Sequence, residues 1–158
     1  RSVQNIKEIV DLGFRLCEER SLKLWGLYPC PNNAMWMGSQ KDFTYDYRFI
    51  IGNFFGCINC SYMNKLNVPD IDDYERSIRS YLSNGGSLRM NHLSAKTKFR
   101  KNVGGQQDTE DRQAIIEESK KILLETYPNL LYLRKRKEDT NPILKDKRTL
   151  EQYFNDND

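Results

Sequence analysis

Four carboxylates crowd into six residues at Asp70-Ile71-Asp72-Asp73-Tyr74-Glu75. Oxygen ligands at this density suit a hard cation such as Mg2+ or Mn2+. One of them could instead take a proton as a general base. The same residues also suit a helix N-terminus, where acids cap main-chain N–H groups and complement the dipole. A second group lies in the twenty-four residues from Asn84 to Gln107, NGGSLRMNHLSAKTKFRKNVGGQQ. Gly85-Gly86 and Gly104-Gly105 bound it, with Arg89, Asn91, His92, Ser94, Lys96, Thr97, Lys98, Arg100 and Lys101 between them. Glycine lets a backbone approach a ligand closely. Cationic, hydroxyl and main-chain N–H groups suit a phosphate. The segment is therefore expected to hold a phosphate-bearing ligand. The lone histidine, His92, could bind a metal only with carboxylate partners.

Other chemistry-bearing groups are looser. Tyr28-Pro29-Cys30-Pro31-Asn32-Asn33 reads as a rigid loop at a strand end, followed by Met35, Trp36 and Met37. Loops of this kind often carry binding residues, though the aromatics equally suit a core. Asp46-Tyr47-Arg48 is a charged pair entering an apolar stretch, with a structural ion pair as the plain reading. Cys57-Ile58-Asn59-Cys60 has zinc-ligand spacing, but Cys17 and Cys30 form no second pair of that spacing. Reduced cysteines in an intracellular protein are the expectation, with a zinc site built from all four cysteines, or disulfides, as the alternatives.

The elements that must position these groups follow from periodicity. With 158 residues, 38% hydrophobic and 30% charged, the chain is long enough for one domain with a real core. Ser2 is expected to cap a helix over residues 3–19, with Val3, Ile6, Val10, Phe14 and Cys17 on one face. A strand is expected from Leu22 to Tyr28 and a buried strand from Arg48 to Cys57. An acidic-start helix should run from Pro69 to a stop at Asn84-Gly85-Gly86. Ser87 to Leu93 reads as a strand. Asp108 or Thr109 should cap another helix, with Ile115, Ser119, Ile122 and Leu123 inward, ending before Pro128. Leu130 to Leu133 reads as a short strand. Strands alternating with helices give an α/β domain, a layered mixed sheet flanked by helices. That domain is expected over residues 1–134. Residues 135–158 are expected to be a charged tail with one more helix near Leu150. The net charge of +3 excludes a histone-like binder, but residues 96–101 are locally basic. No apolar run approaches the length of a bilayer span.

Read together, LWGLYPCPNN, DYRFIIGNFFGCIN, DDYERSIRSYLSNGG, LRMNHLSAKTKF and VGGQQ occur in an order that resembles the TET-associated glycosyltransferases of phages and large DNA viruses. The resemblance runs from about Leu12 to Tyr127. It implies a GT-A-like fold and transfer of a sugar from a nucleotide-sugar donor, a UDP-sugar, to an acceptor hydroxyl. It further implies a hydroxymethylated base in DNA as that acceptor, a Mn2+ or Mg2+ cofactor, and work inside an infected host cell. Position by position, Tyr28, Pro29 and Asn32 match the first element and Asp46, Arg48 and Gly52 the second. Asp73, Glu75 and Arg76 match the third, which implies Asp73 as the base with Glu75 beside it. Gly85, Gly86, Arg89 and Asn91 match the fourth, and Gly104, Gly105 and Gln107 the last, with Ser94 and Thr97 leading to it. Arg89 and Lys98 would lie beside the leaving diphosphate. Asn33, Met90, His92 and Gln106 depart from the family pattern.

A transferase of this kind carries its nucleotide-binding strands and Asp-x-Asp motif ahead of the helix that begins here. The resemblance therefore places the chain on the acceptor side of such an enzyme, with an N-terminal half as partner and no activity expected without it. Two other readings stand beside it. A non-catalytic nucleic-acid-binding module would use Lys96, Lys98, Arg100 and Lys101 on phosphates. A viral structural protein would keep the fold without the chemistry.

Overall fold

A computed structural model of the chain describes residues 5–29, 41–96, 111–136 and 139–145. Among them the architecture is mixed α/β: three helices, a four-stranded mixed sheet and a two-stranded hairpin. The helices are α1 (Ile6–Glu19), α2 (Asp72–Asn84) and α3 (Arg112–Thr126). The strands are β1 (Leu24–Leu27), β2 (Phe43–Thr44), β3 (Phe55–Cys57), β4 (Leu88–Met90), β5 (Leu131–Arg136) and β6 (Asp139–Leu144). Helix α1 begins at Asn5, whose side chain accepts the Glu8 N–H. The expected cap, Ser2, lies outside the described residues, as do Asp108 and Thr109 ahead of α3.

The main sheet has the order β2-β4-β1-β3. Strands β1 and β4 are parallel, with Gly26 opposite Arg89 and Leu27 opposite Met90. Strand β3 runs antiparallel to β1, and β2 antiparallel to β4. Alternation along the strands sends Trp25, Leu27, Leu88 and Met90 to one face, where Cys17, Leu22 and the apolar side of α1 cover them. Trp25, 1% exposed, is gripped between the backbones of Gly13 on α1 and Gly56 on β3. A Cβ at either glycine would overlap the indole ring. Phe14 and Phe54 meet the ring edge-on.

The stretch from Arg48 to Cys57, expected as one buried strand, is a strand only over Phe55–Cys57. Upstream, side chains satisfy the backbone instead of a ladder. The Ile50 N–H donates to Ser77 Oγ at 3.0 Å and the Gly52 N–H to Asp73 Oδ2 at 3.3 Å. The Ser87 hydroxyl donates to the Arg48 carbonyl. Ile50 is thereby wedged between Gly26 of the sheet and α2, which packs on the face opposite α1.

Helix α2 stops where the glycines predict. Gly85 adopts φ 77° and its N–H caps the Tyr81 carbonyl. Gly86 lies against the main chain of Tyr45 and Asp46, so close that a Cβ would overlap the Tyr45 carbonyl oxygen. The first glycine pair thus ends a helix and lets two backbones meet; the close approach is to protein and not to a ligand. Gly86→Ala is expected to cost about 3 kcal/mol, because main chain cannot give way as a side-chain tip can. Urea unfolding of the variant measures it.

A second core joins Tyr47, Val68, Ile78, Leu123, Leu131 and Leu144 between α2, α3 and the base of the hairpin. Of the residues expected inward on α3, Ser119 and Leu123 are buried, and Ile115 and Ile122 half-buried. The expected boundary after Arg134 falls inside β5, which continues to Arg136 and returns as β6. Six cross-strand pairs and the burial of Leu144 make residues 139–144 part of the fold, where a tail was expected. The helix expected near Leu150 lies outside the described residues. Among the described residues no helix is long and apolar enough to cross a membrane.

Candidate functional site

The topology brings several expected groups to one edge of the main sheet. Because β1 and β4 are parallel neighbours, their C-terminal ends lie side by side. The Tyr28 N–H donates to both the Met90 and Leu93 carbonyls, at 3.1 and 2.9 Å, tying the two exits together. The Tyr-Pro loop leaves from one and the basic segment from the other. Strand β3 is antiparallel to β1 with Phe55 opposite Gly26, so the turn carrying Gly52 and Asn53 also reaches this edge. The Gly52 N–H in turn holds the first turn of α2 there through Asp73.

Asp73 is the titratable group best placed at this edge. It is half-buried, and the N–H groups of Gly52 and Tyr74 donate to its carboxylate. Burial pushes its pKa up to about 6. The main-chain N–H groups oppose that rise, and the charge of Asp70 adds to it. A carboxylate tuned near neutrality is what a general base requires.

The other acids are committed elsewhere. Glu75 is 0% exposed. Its Oε2 accepts the Asn67 and Val68 N–H groups, while Oε1 accepts Arg79 and the Tyr127 hydroxyl. This is a structural node tying α2 to the preceding loop and to the end of α3, and it leaves no oxygen for substrate. Its expected place beside the base is corrected accordingly. Asp70 pairs with Arg112 at 3.3 Å, and Asp72 with Arg76. Among the described residues no group of three His, Cys, Asp or Glu side chains could hold a metal ion. With three of its carboxylates paired to arginines, the acidic cluster does not fit a divalent cation. His92 joins no such group among the described residues; its Nδ1 meets the Asp42 carbonyl at 3.1 Å and its ring packs edge-on against Phe43.

Around the strand ends, Arg89 is 2% exposed. Its Nε donates to Asn91 Oδ1 at 2.8 Å, and its guanidinium lies over the Tyr28 ring at 5.1 Å. The Asn91 amide in turn donates to the Lys41 carbonyl and to Thr44 Oγ1. Tyr28, Arg89 and Asn91 therefore form one buried polar group, a brace under the edge, where the sequence elements implied substrate contacts and, for Arg89, a place beside the leaving diphosphate. Arg76 stacks over Phe55 at 4.2 Å. Its buried Nη1 has no hydrogen-bond partner among the described residues, nor does Asn53 Oδ1. Phe55 and Asn53 escaped sequence reasoning, because the stretch read as a strand and hid the turn.

Asp46 and Arg48 are not part of this edge. The Asp46 carbonyl accepts the Ser87 N–H at the start of β4, the opposite end of the strand. Arg48 closes on Asp46 through two hydrogen bonds of 2.7 and 2.8 Å, a structural ion pair. Ser94 is half-exposed and Lys96 exposed just beyond β4. Asn32, Thr97, Lys98, Gly104, Gly105 and Gln107 lie outside the described residues.

Cys17, Cys57 and Cys60 are free thiols. Burial pushes Cys17 up to about 12 and raises Cys57, with Cys60 adding to the latter. Thiols held in the neutral form are poor nucleophiles. Cys30, the fourth thiol of the zinc reading, lies outside the described residues.

Compared with known proteins, the chain matches no family model, no curated protein and no solved structure.

Proposed function

We propose that this chain is a nucleotide-sugar-dependent glycosyltransferase with a GT-A-like arrangement, and that a hydroxymethylated base in viral DNA is its acceptor. The observation that carries the reading is the meeting, at one sheet edge, of the paired β1 and β4 ends with the Asp73 turn of α2. Ligands of open α/β sheets bind outside the carboxyl ends of parallel strands. The order of the sequence elements adds the sugar chemistry.

In this reading the Asp73 carboxylate accepts the proton of the acceptor hydroxyl as that oxygen forms its bond to the sugar's anomeric carbon. The bond from that carbon to the diphosphate breaks, and the nucleoside diphosphate leaves. The brace of Tyr28, Arg89 and Asn91 holds the strand ends rigid, as positioning requires. Arg76 Nη1 and Asn53 Oδ1 are one buried donor and one buried acceptor left without partners among the described residues. Because the described acids do not fit a divalent cation, no step runs through a metal here.

Thermal unfolding with a panel of UDP-sugars, with and without Mn2+, tests the reading. A donor present at one hundred times its Kd is expected to raise Tm by about 5–10 °C. If no donor moves Tm, this chain does not hold the nucleotide sugar.

A further inference from the structure

We infer that the outer half of the β5–β6 hairpin is a two-sided cationic ribbon that grips double-stranded DNA. The base of the hairpin belongs to the fold. Leu131 pairs with Leu144, both at most 4% exposed, and the Tyr47 hydroxyl donates to the Leu130 carbonyl. Three pairs further out the character changes. Arg134 lies opposite Asn141, Lys135 opposite Thr140 and Arg136 opposite Asp139. Arg134, Lys135 and Asn141 are exposed. Successive residues of a strand point to opposite faces. Exposure of both Arg134 and Lys135 therefore means that neither face of the ribbon is covered at that level.

The outer half of β5 is three consecutive cations, Arg134-Lys135-Arg136. Charge on a hairpin edge guards against strand pairing. Guarding needs charge but no single sign, and this run has one sign along the outer half of the outward strand. On a ribbon open on both faces, alternation sends Arg134 and Lys135 to opposite sides. A surface with phosphates on both sides matches that distribution. The major groove of duplex DNA is about 12 Å wide, admits a two-stranded ribbon and has phosphates along both walls. An anionic bilayer matches less well, since stable attachment to one draws on apolar residues beside the basic ones. Residues 134–141 contain none apart from the threonine methyl. This surface is separate from the sheet edge, and the inference does not depend on the transferase reading.

Fluorescence anisotropy with a labelled duplex of about two helical turns, titrated across salt, decides it. The whole chain should bind, with log K falling linearly in log salt. Arg134→Gln/Lys135→Gln should lower the magnitude of that slope by about 2, near 0.9 for each phosphate no longer neutralised, and weaken binding about tenfold or more at low salt. Arg134→Lys/Lys135→Arg should keep the slope of the parent. Lys7→Ala/Arg15→Ala, which removes two exposed cations from α1, should leave most of the affinity. All variants are compared at equal Tm or corrected for the folded fraction. The inference is overturned if the parent does not bind duplex, if the glutamine pair keeps its slope, or if the α1 pair loses as much. Retention on phosphatidylserine vesicles with no duplex binding would overturn it as well.

Discussion

Replacing Glu75 by Ala should cost about 4 kcal/mol, the largest stability loss expected from any single side chain of the acidic helix. The carboxylate is fully buried, and its two oxygens accept from Asn67, Val68, Arg79 and Tyr127. Removing one partner of a buried ion pair typically costs about 3–5 kcal/mol, since the other charge stays desolvated. Each main-chain N–H left without an acceptor adds about 1–3 kcal/mol. Two carbonyls, of Tyr62 and Lys65, still accept from Arg79 and offset part of the loss. Denaturant unfolding of Glu75→Ala beside Asp11→Ala measures it. The second variant loses only an exposed pair on α1 and should change stability by less than about 1 kcal/mol. A loss of under about 1 kcal/mol for Glu75→Ala would contradict the network.

Asp73→Asn should do the opposite to stability and remove the chemistry. The unfolded carboxyl has its ordinary pKa of 3.8, and the fold raises it to about 6. The folded state therefore holds this proton more tightly. Its contribution is neutral below the unfolded value, becomes unfavourable as pH rises between the two, and is fully unfavourable above about 6. Asparagine carries no such term. The variant should be more stable than the parent at pH 7, by at most about 3 kcal/mol, reduced by solvent screening and by the loss of one acceptor where the amide NH2 faces the Gly52 or Tyr74 N–H. The gain should be gone by about pH 4, where the lost acceptor alone sets the difference. Unfolding midpoints across that range check the sign. Sugar transfer to a hydroxymethylated duplex should fall by about 10²–10⁴ for the same variant. In the parent it should rise with pH through a limb near 6. Full turnover by Asp73→Asn would sink the assignment of Asp73 as base. No turnover by the parent, with the UDP-sugar that raises its Tm, would sink transfer by this chain.

Much of this was legible in one dimension. The apolar spacing of Ile6, Val10, Phe14 and Cys17 marked α1, and Gly85 marked the end of α2. These are local signals, in which period and cap are set by the residues themselves. The stretch from Arg48 to Phe54 misled, because its apolar letters suit a strand. Whether they form one depends on Ser77, Ser87 and Asp73, which satisfy their main-chain groups from elsewhere in the chain. The residues past Arg134 misled in the reverse sense. A charged strand looks like a tail until its partner is known; here the pairing of β5 with β6, with Leu131 and Leu144 buried at its base, anchors it.

The same division runs through the candidate site. By itself the sequence determined the inventory: four clustered carboxylates, a basic glycine-bounded segment, and the order of elements that suggests sugar transfer. The resemblance implies Asp73 as the base, but residue type and spacing alone gave no physical ground for setting it above Glu75, two residues apart on one helix. Tertiary structure decided that, by turning Glu75 into a desolvated network with every oxygen taken and setting Asp73 beside the Gly52 N–H at a sheet edge. It also moved Asp46 and Arg48 to the opposite end of β4. The physical reason is that a carboxylate's role depends on solvation and on neighbours distant in sequence, and packing alone assigns those.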